Sequence, residues 1–165
     1  MKTLNRLFRP KSIAVIGGGA WGEAVLEQAQ KFGFSGKIFA IHPSKPEVAG
    51  IKTWVGAHLL PEAPDATFVG INREATVGAI ERLRKKGAGG AVCFASGFAE
   101  ATAEDATGAD AQERLLRAAG EMPILGPNCY GFINAFDRVA IWPDQHGLIP
   151  VESGVAILTQ SSNVS

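Results

Sequence analysis

The stretch IAVIGGGAWGEAV, residues 13–25, runs from four apolar residues through three glycines into a helical pattern. Gly17, Gly19 and Gly22 stand in the spacing G-x-G-x-x-G. Placed after a strand and before a helix, such a loop turns tightly and lets a ligand approach the backbone. The helix N-terminus then offers unpaired N–H groups to a phosphate. A tight turn without a ligand is the alternative; the strand–loop–helix setting favours a phosphate.

Outward from this loop the same alternation repeats. Strands are predicted at SIAVIG (12–17), KIFAIH (37–42), ATFVGI (66–71), GAVCFA (90–95) and PILG (123–126). They lack clear polar alternation, as expected of parallel strands covered on both faces. Between them, Val25, Ala29 and Phe32 make one helical stripe, and Val77, Ile80 and Leu83 another. Arg82, Arg84, Lys85 and Lys86 gather at the end of the second helix, which Gly87 stops; they read as a solvated helix end, not an anion site. DAQERLLRAAG opens with Asp110 and Glu113 in capping-box spacing and ends on Gly120. The pattern predicts an α/β chain with a Rossmann-like, doubly wound, mainly parallel sheet and helices on both faces. Two connections are irregular. Residues 42–65 are expected to hold only a short helix near Ala57–Leu60, and residues 99–110 a mobile surface loop.

Composition narrows the partners. The 165 residues suit one domain with a proper core, 46% of them being apolar. Lys and Arg number 16, as do Asp and Glu, so the basic excess expected of a nucleic-acid or anionic-membrane binder is missing. Behind the basic start no apolar signal region follows, and no run approaches a membrane span. Cys93 and Cys129 form neither a disulfide framework nor a metal cluster, which points to a reducing cytoplasm.

NAD demands an acid at the end of the second strand to bond the ribose hydroxyls. That place reads AIHPSK, with His42 and Lys45 and no acid. A cation there suits an extra phosphate on the ribose, carried by both NADP and coenzyme A, unless Lys45 is simply a surface lysine. By these residues alone the two ligands are not separated.

Further segments bring a resemblance. LFRPKSIAVIGG (7–18), IHPSK (41–45), GAVCFASGFAE (90–100) and ILGPNCYGFIN (124–134) follow the order and approximate spacing of the CoA-binding domain of ADP-forming acyl-CoA synthetases, similar to the succinyl-CoA synthetase α subunit. The resemblance implies that Gly17, Gly18, Gly19 and Gly22 take CoA phosphates and that His42 and Lys45 lie near the 3′-phosphoADP portion. Ile71 and Asn72, within a GIN that replaces the family's usual Val-Pro, would face the adenosine or pantetheine. Ala95, Ser96 and Gly97 would line the pantetheine path, and Asn128 and Cys129 would sit near the thiol end. Ser96–Gly97 and Pro127–Asn128 are also ordinary turn formers. Cys129 has no paired base at motif spacing and reads as an inert thiol; Cys93 reads as core.

The chain also departs from the family. Its loop lacks the usual Ser and Pro, and Trp21 either stacks on the adenine or covers the helix start. TQSSN (159–163) puts Ser162 where the family has glycine, which weakens a phosphate-binding turn at Gln160–Asn163.

Residues 1–150 are expected to form the CoA-binding domain and 151–165 to begin a second one, GVAILTQSSNVS (154–165) starting a new strand and reaching a helix N-terminus. The family's phosphorylated histidine lies further along, and a separate ATP-grasp unit binds ATP and Mg. His42, His58 and His146 have no acid or nucleophile at motif spacing and read as loop histidines, so no catalytic residue is assigned. The expectation is a piece of a larger acid-thiol ligase that binds and positions CoA for a carboxylic acid substrate. The alternatives are an NADP-dependent oxidoreductase domain, a CoA-binding regulatory module fused to an acetyltransferase, and a small redox-sensing or structural protein with an empty nucleotide fold.

Overall fold

A computed structural model describes residues 4–101, 103 and 106–159. All five predicted strands form: β1 (Ser12–Ile16), β2 (Lys37–Ile41), β5 (Ala66–Val69), β6 (Ala91–Cys93) and β7 (Ile124–Leu125). Two short strands, β3 (Glu47–Val48) and β4 (Ile51–Trp54), join them in a seven-stranded sheet of order β3-β4-β2-β1-β5-β6-β7. Every pairing is parallel except β3 with β4. This is the doubly wound arrangement that the alternation of apolar runs and helical stripes predicts.

Side chains alternate across the sheet, and each face has its own cover. Ile13, Val15, Ala40, Phe68 and Val92 pack with α2 (Ala20–Lys31) through Val25, Leu26 and Ala29. Ala14, Phe39, Ile41, Val69 and Cys93 pack on the other face with α3 (Arg73–Lys86) and α4 (Gly108–Ala119) through Ile80, Leu83 and Leu115. The short α1 (Asn5–Phe8) buries Leu7 on the α2 face. The chain therefore leaves β1 toward one face and β5 toward the other. Their carboxyl ends flank the switch point at which open α/β sheets bind ligands.

Several expectations change. The segment 42–65 holds its short helix at Ala57–Leu59 but also the edge pair β3 and β4, too short and too interrupted by Pro43, Pro46 and Gly50 for periodicity to reveal. A hairpin of β8 (Phe132–Asn134) and β9 (Val139–Ile141), also unpredicted, lays Val139 and Ile141 on the α2 face. Asp110 and Glu113 form no capping box. Helix α4 starts earlier, at Gly108, where a Cβ would lie 2.2 Å from the Phe98 carbonyl oxygen, and the Thr107 hydroxyl accepts from Arg73 Nη2 at 3.1 Å. Within the expected loop 99–110, Ala99–Ala101 form a 3-10 turn; residues 102, 104 and 105 lie outside the described ones.

The strand expected at GVAIL (154–158) is not there. These residues are exposed and pair with no strand among the described residues. The Gln160–Asn163 turn lies outside the described residues. His146 is less solvated than a loop histidine: its ring meets Phe32 edge-on at 4.8 Å, and its Nδ1 is buried without a partner among the described residues. Burial, with Lys31 nearby, holds its pKa below the usual histidine range. Among the described residues no helix is long and apolar enough to cross a membrane.

One buried group in the sheet stands unpaired. Thr67 on β5 is fully buried, and its hydroxyl has no hydrogen-bond partner among the described residues. Leaving a buried hydroxyl unsatisfied costs roughly 1–3 kcal/mol, whereas a methyl in its place is welcome in this apolar layer. Thr67→Val is accordingly expected to raise the unfolding free energy by about 1 kcal/mol in urea denaturation. A loss of stability would show that the hydroxyl is satisfied after all.

Candidate functional site

The three fingerprint glycines have three different jobs. Gly17 ends β1 at φ +122°, and a Cβ there would lie 2.6 Å from the Gly70 carbonyl oxygen, at the end of β5. Glycine is thus what lets the loop cross the switch point against its neighbour strand. Gly22, in the first turn of α2, has its would-be Cβ 2.7 Å from the Gly17 carbonyl oxygen and 3.4 Å from Val15 Cγ1. It brings helix against strand. Gly19, the N-cap of α2, has an ordinary extended backbone at φ −83° and ψ 177°, and a Cβ on it would meet nothing within 4 Å. Neither packing nor backbone geometry within the chain calls for glycine there.

His42 and Lys45 close the loop from the β2 side. A Cβ on Gly18 would lie 2.5 Å from His42 Cδ2 and 3.2 Å from Lys45 Cδ. His42 Nδ1 accepts from the amides of Lys45 (2.8 Å) and Ser44 (3.2 Å). A ring nitrogen that accepts twice leaves the proton on Nε2. The Lys45 ammonium donates to the Gly18 carbonyl, which places its charge on the glycine loop and, among the described residues, leaves two of its three donors over. Ile71, after β5, sits on the far side of the loop, its Cγ2 3.4 Å from the would-be Gly17 Cβ. Asn72 serves the fold directly as the N-cap of α3, its Oδ1 accepting from the Ala75 amide at 2.9 Å.

A second group of the expected residues gathers at the ends of β6 and β7. The amides of Asn128 and Cys129 donate to the carbonyls of Ala95 (2.9 Å) and Cys93 (3.1 Å), so the GPNC turn docks beside the strand that Ala95, Ser96 and Gly97 follow. Gly97, at φ +91°, is fixed from both sides. Its amide and that of Phe98 donate to Glu100 Oε1 at 2.7 and 3.3 Å, while its carbonyl accepts from Arg73 Nη1. Neither Arg73 nor Glu100 stands out in the sequence. Glu100 lies three residues after Gly97, the reach-back spacing of a capping box, which is the signal that could have found it. Burial pushes the Cys129 thiol up, and Cys93 is pushed up to about 12 by burial and by Cys129. Burial favours the neutral thiol at both positions, which argues against Cys129 as an activated nucleophile.

Trp21 lies on the side of the loop away from His42 and Lys45. Its ring meets Phe94, just past β6, at 5.2 Å, and Tyr130, just past Cys129, at 5.9 Å. These contacts back the indole from one side. Its 46% exposure keeps one side of the indole in solvent.

A family model described as a CoA binding domain matches residues 11–135. A trans-feruloyl-CoA synthase of an unknown prokaryotic organism is 36% identical over 84% of the chain and 20% of its own length. Acetate–CoA ligase (ADP-forming) I of Archaeoglobus fulgidus is 30% identical over 96% of the chain and 23% of its own. The chain thus spans about a fifth of the length of these relatives. Among solved structures, acetyl-coenzyme A synthetase 1 of Ca. Korarchaeum cryptofilum, in complex with phosphate and ADP, superposes with a TM-score of 0.78 at 30% identity, covering 86% of this chain and 31% of that one. Prephenate dehydrogenase of A. aeolicus with NAD+ shares the fold alone, at a TM-score of 0.54 and 14% identity. With the match running from the residue before β1 to the turn of the hairpin, the chain belongs to the CoA-binding domain family and is homologous to the N-terminal domain of ADP-forming acyl-CoA synthetases.

Proposed function

We propose that this chain binds CoA and aims its thiol within an acyl-CoA synthetase that converts a carboxylic acid, CoA and ATP into acyl-CoA, ADP and phosphate. The observation that carries the reading is the contrast among the glycines: Gly17 and Gly22 are demanded by the fold, whereas Gly19 is open at a helix N-terminus. The CoA pyrophosphate lies over Gly18 and Gly19, and the ribose 3′-phosphate takes the spare donors of Lys45 beside His42. The pantetheine runs past Ile71 and Asn72 and along Ala95–Gly97, and the thiol arrives at Asn128–Cys129. Every one of these residues lies at the carboxyl end of a parallel strand or in the loop that follows it.

The chain's own contribution is orientation. Arg73 and Glu100 hold the Gly97 turn, and the GPNC turn is bonded to β6, so the thiol end meets a preformed surface. Cys129, whose thiol burial pushes up, lines the site without competing as a nucleophile. ATP and Mg are bound by an ATP-grasp unit outside these residues. The enzyme works in a reducing cytoplasm, and residues 151–165 lead from the CoA-binding domain, residues 1–150, to the next.

Calorimetric titration with CoA, dephospho-CoA, NADPH and NADH tests the reading. CoA is expected to bind, and dephospho-CoA about tenfold more weakly, as fits the loss of one charge-assisted contact to Lys45. Equal affinities for CoA and dephospho-CoA would remove Lys45 from the site. Binding of NADPH alone would overturn the CoA reading altogether.

A further inference from the structure

The half-exposed indole of Trp21 belongs to a larger construction. Trp21, Phe94 and Tyr130 form a triangle of rings, with centroids 5.2, 5.9 and 5.8 Å apart. Phe94 rests on the fully buried Phe68 at 5.6 Å, and Tyr130 on Trp142 at 4.9 Å. The Tyr130 hydroxyl donates to Asp144 Oδ2 at 2.7 Å, which fixes the ring's direction. An aromatic face pinned from behind loses little freedom when something stacks on it.

Its position selects what that something is. In a doubly wound sheet an extended ligand crosses the switch point, so its halves lie on opposite sides of the glycine loop. His42 and Lys45 mark the side of β2, whereas Phe94 and Tyr130 follow β6 and Cys129. The wall therefore stands at the thiol end, where the acyl group is joined, and away from the adenine end.

We propose that Trp21, backed by Phe94 and Tyr130, is an acyl subsite that selects planar aromatic acyl groups on the CoA thiol. This rests on the CoA reading above. Offset or edge-on ring contacts supply the preference, and a two-carbon acyl group is too small to use them.

The test compares binding of CoA, acetyl-CoA, benzoyl-CoA and adenosine 3′,5′-bisphosphate by calorimetry. Benzoyl-CoA is expected to bind about fivefold more tightly than acetyl-CoA, the worth of one good ring contact. Trp21→Ala is expected to bring that ratio close to one, and Trp21→Phe to keep most of it. Trp21→Leu retains an apolar cover over Phe94 and gives the same comparison if the alanine variant folds poorly. Equal affinities for the two thioesters, or an unchanged ratio in both Trp21→Ala and Trp21→Leu, overturn the subsite while leaving CoA binding intact. If Trp21→Ala weakens the bisphosphate as much as benzoyl-CoA, the indole stacks on adenine and the proposal is wrong. Absence of binding by CoA itself overturns the underlying reading instead.

Discussion

Replacing Gly19 with aspartate is expected to abolish CoA binding while leaving the fold as stable as before. The two effects part because of where the side chain would go. A Cβ on Gly19 meets no atom within 4 Å, and the backbone there is in a region open to any residue. Aspartate is also a better N-cap than glycine by a few tenths of a kcal/mol, so the melting temperature should hold or rise slightly. For the ligand every change is adverse. The carboxylate enters the space through which the pyrophosphate reaches the α2 amides, takes those amides for itself, and opposes a like charge. At about 4 Å and an effective dielectric near 20, one such repulsion is worth about 4 kcal/mol, so a loss of a hundredfold or more is expected. Gly19→Ala adds bulk without charge and should cost about tenfold, on the scale of one lost amide contact. Thermal denaturation and CoA titration of the same samples check both halves. Unimpaired CoA binding in Gly19→Asp would place the phosphate elsewhere.

The spacing of the glycines was legible in the sequence because G-x-G-x-x-G follows an apolar run. The division of labour among them was not, since it depends on contacts with Gly70, Val15 and His42 that only the folded sheet creates. The parallel strands β1, β2, β5 and β6 were legible because each lies within an apolar run, and β7, two residues long, because Pro123 and Gly126 bound it. The edge pair β3–β4 and the β8–β9 hairpin were not, because these short strands owe their pairing to what lies beside them. The clearest miss in the site is the aromatic wall. Trp21, Phe94, Tyr130 and Trp142 are scattered over 122 positions of sequence and meet only because β1, β6 and the GPNC turn end at the same edge of the sheet. Arg73 and Glu100 were hidden similarly, each looking like a surface charge until Gly97 stands between them.

Gly17→Ala is expected to behave in the opposite way to Gly19→Asp, costing about 3 kcal/mol or more of stability and taking CoA binding with it. The residue sits at φ +122°, where an alanine is strained by roughly 1–3 kcal/mol before any contact is counted. Its Cβ would also lie 2.6 Å from the Gly70 oxygen and 3.2 Å from the Gly70 carbon. Both are backbone atoms of β5's end, and the Gly70 amide is itself bonded to the Ile16 carbonyl at 2.9 Å. Neither side can turn away as a side chain could. Relief requires β1 and β5 to separate at their carboxyl ends, the place where α2 and α3 leave for opposite faces. Opening that point tilts α2 and draws Gly19's amides, Lys45's tether on the Gly18 carbonyl and Trp21 out of register together. Urea denaturation should show the lost stability. Any Gly17→Ala protein that remains folded should bind CoA at least tenfold more weakly, on the scale of one charge-assisted bond. A folded, stable Gly17→Ala variant that binds CoA normally would mean that the loop does not depend on closure against β5, and that the switch point does not position the ligand.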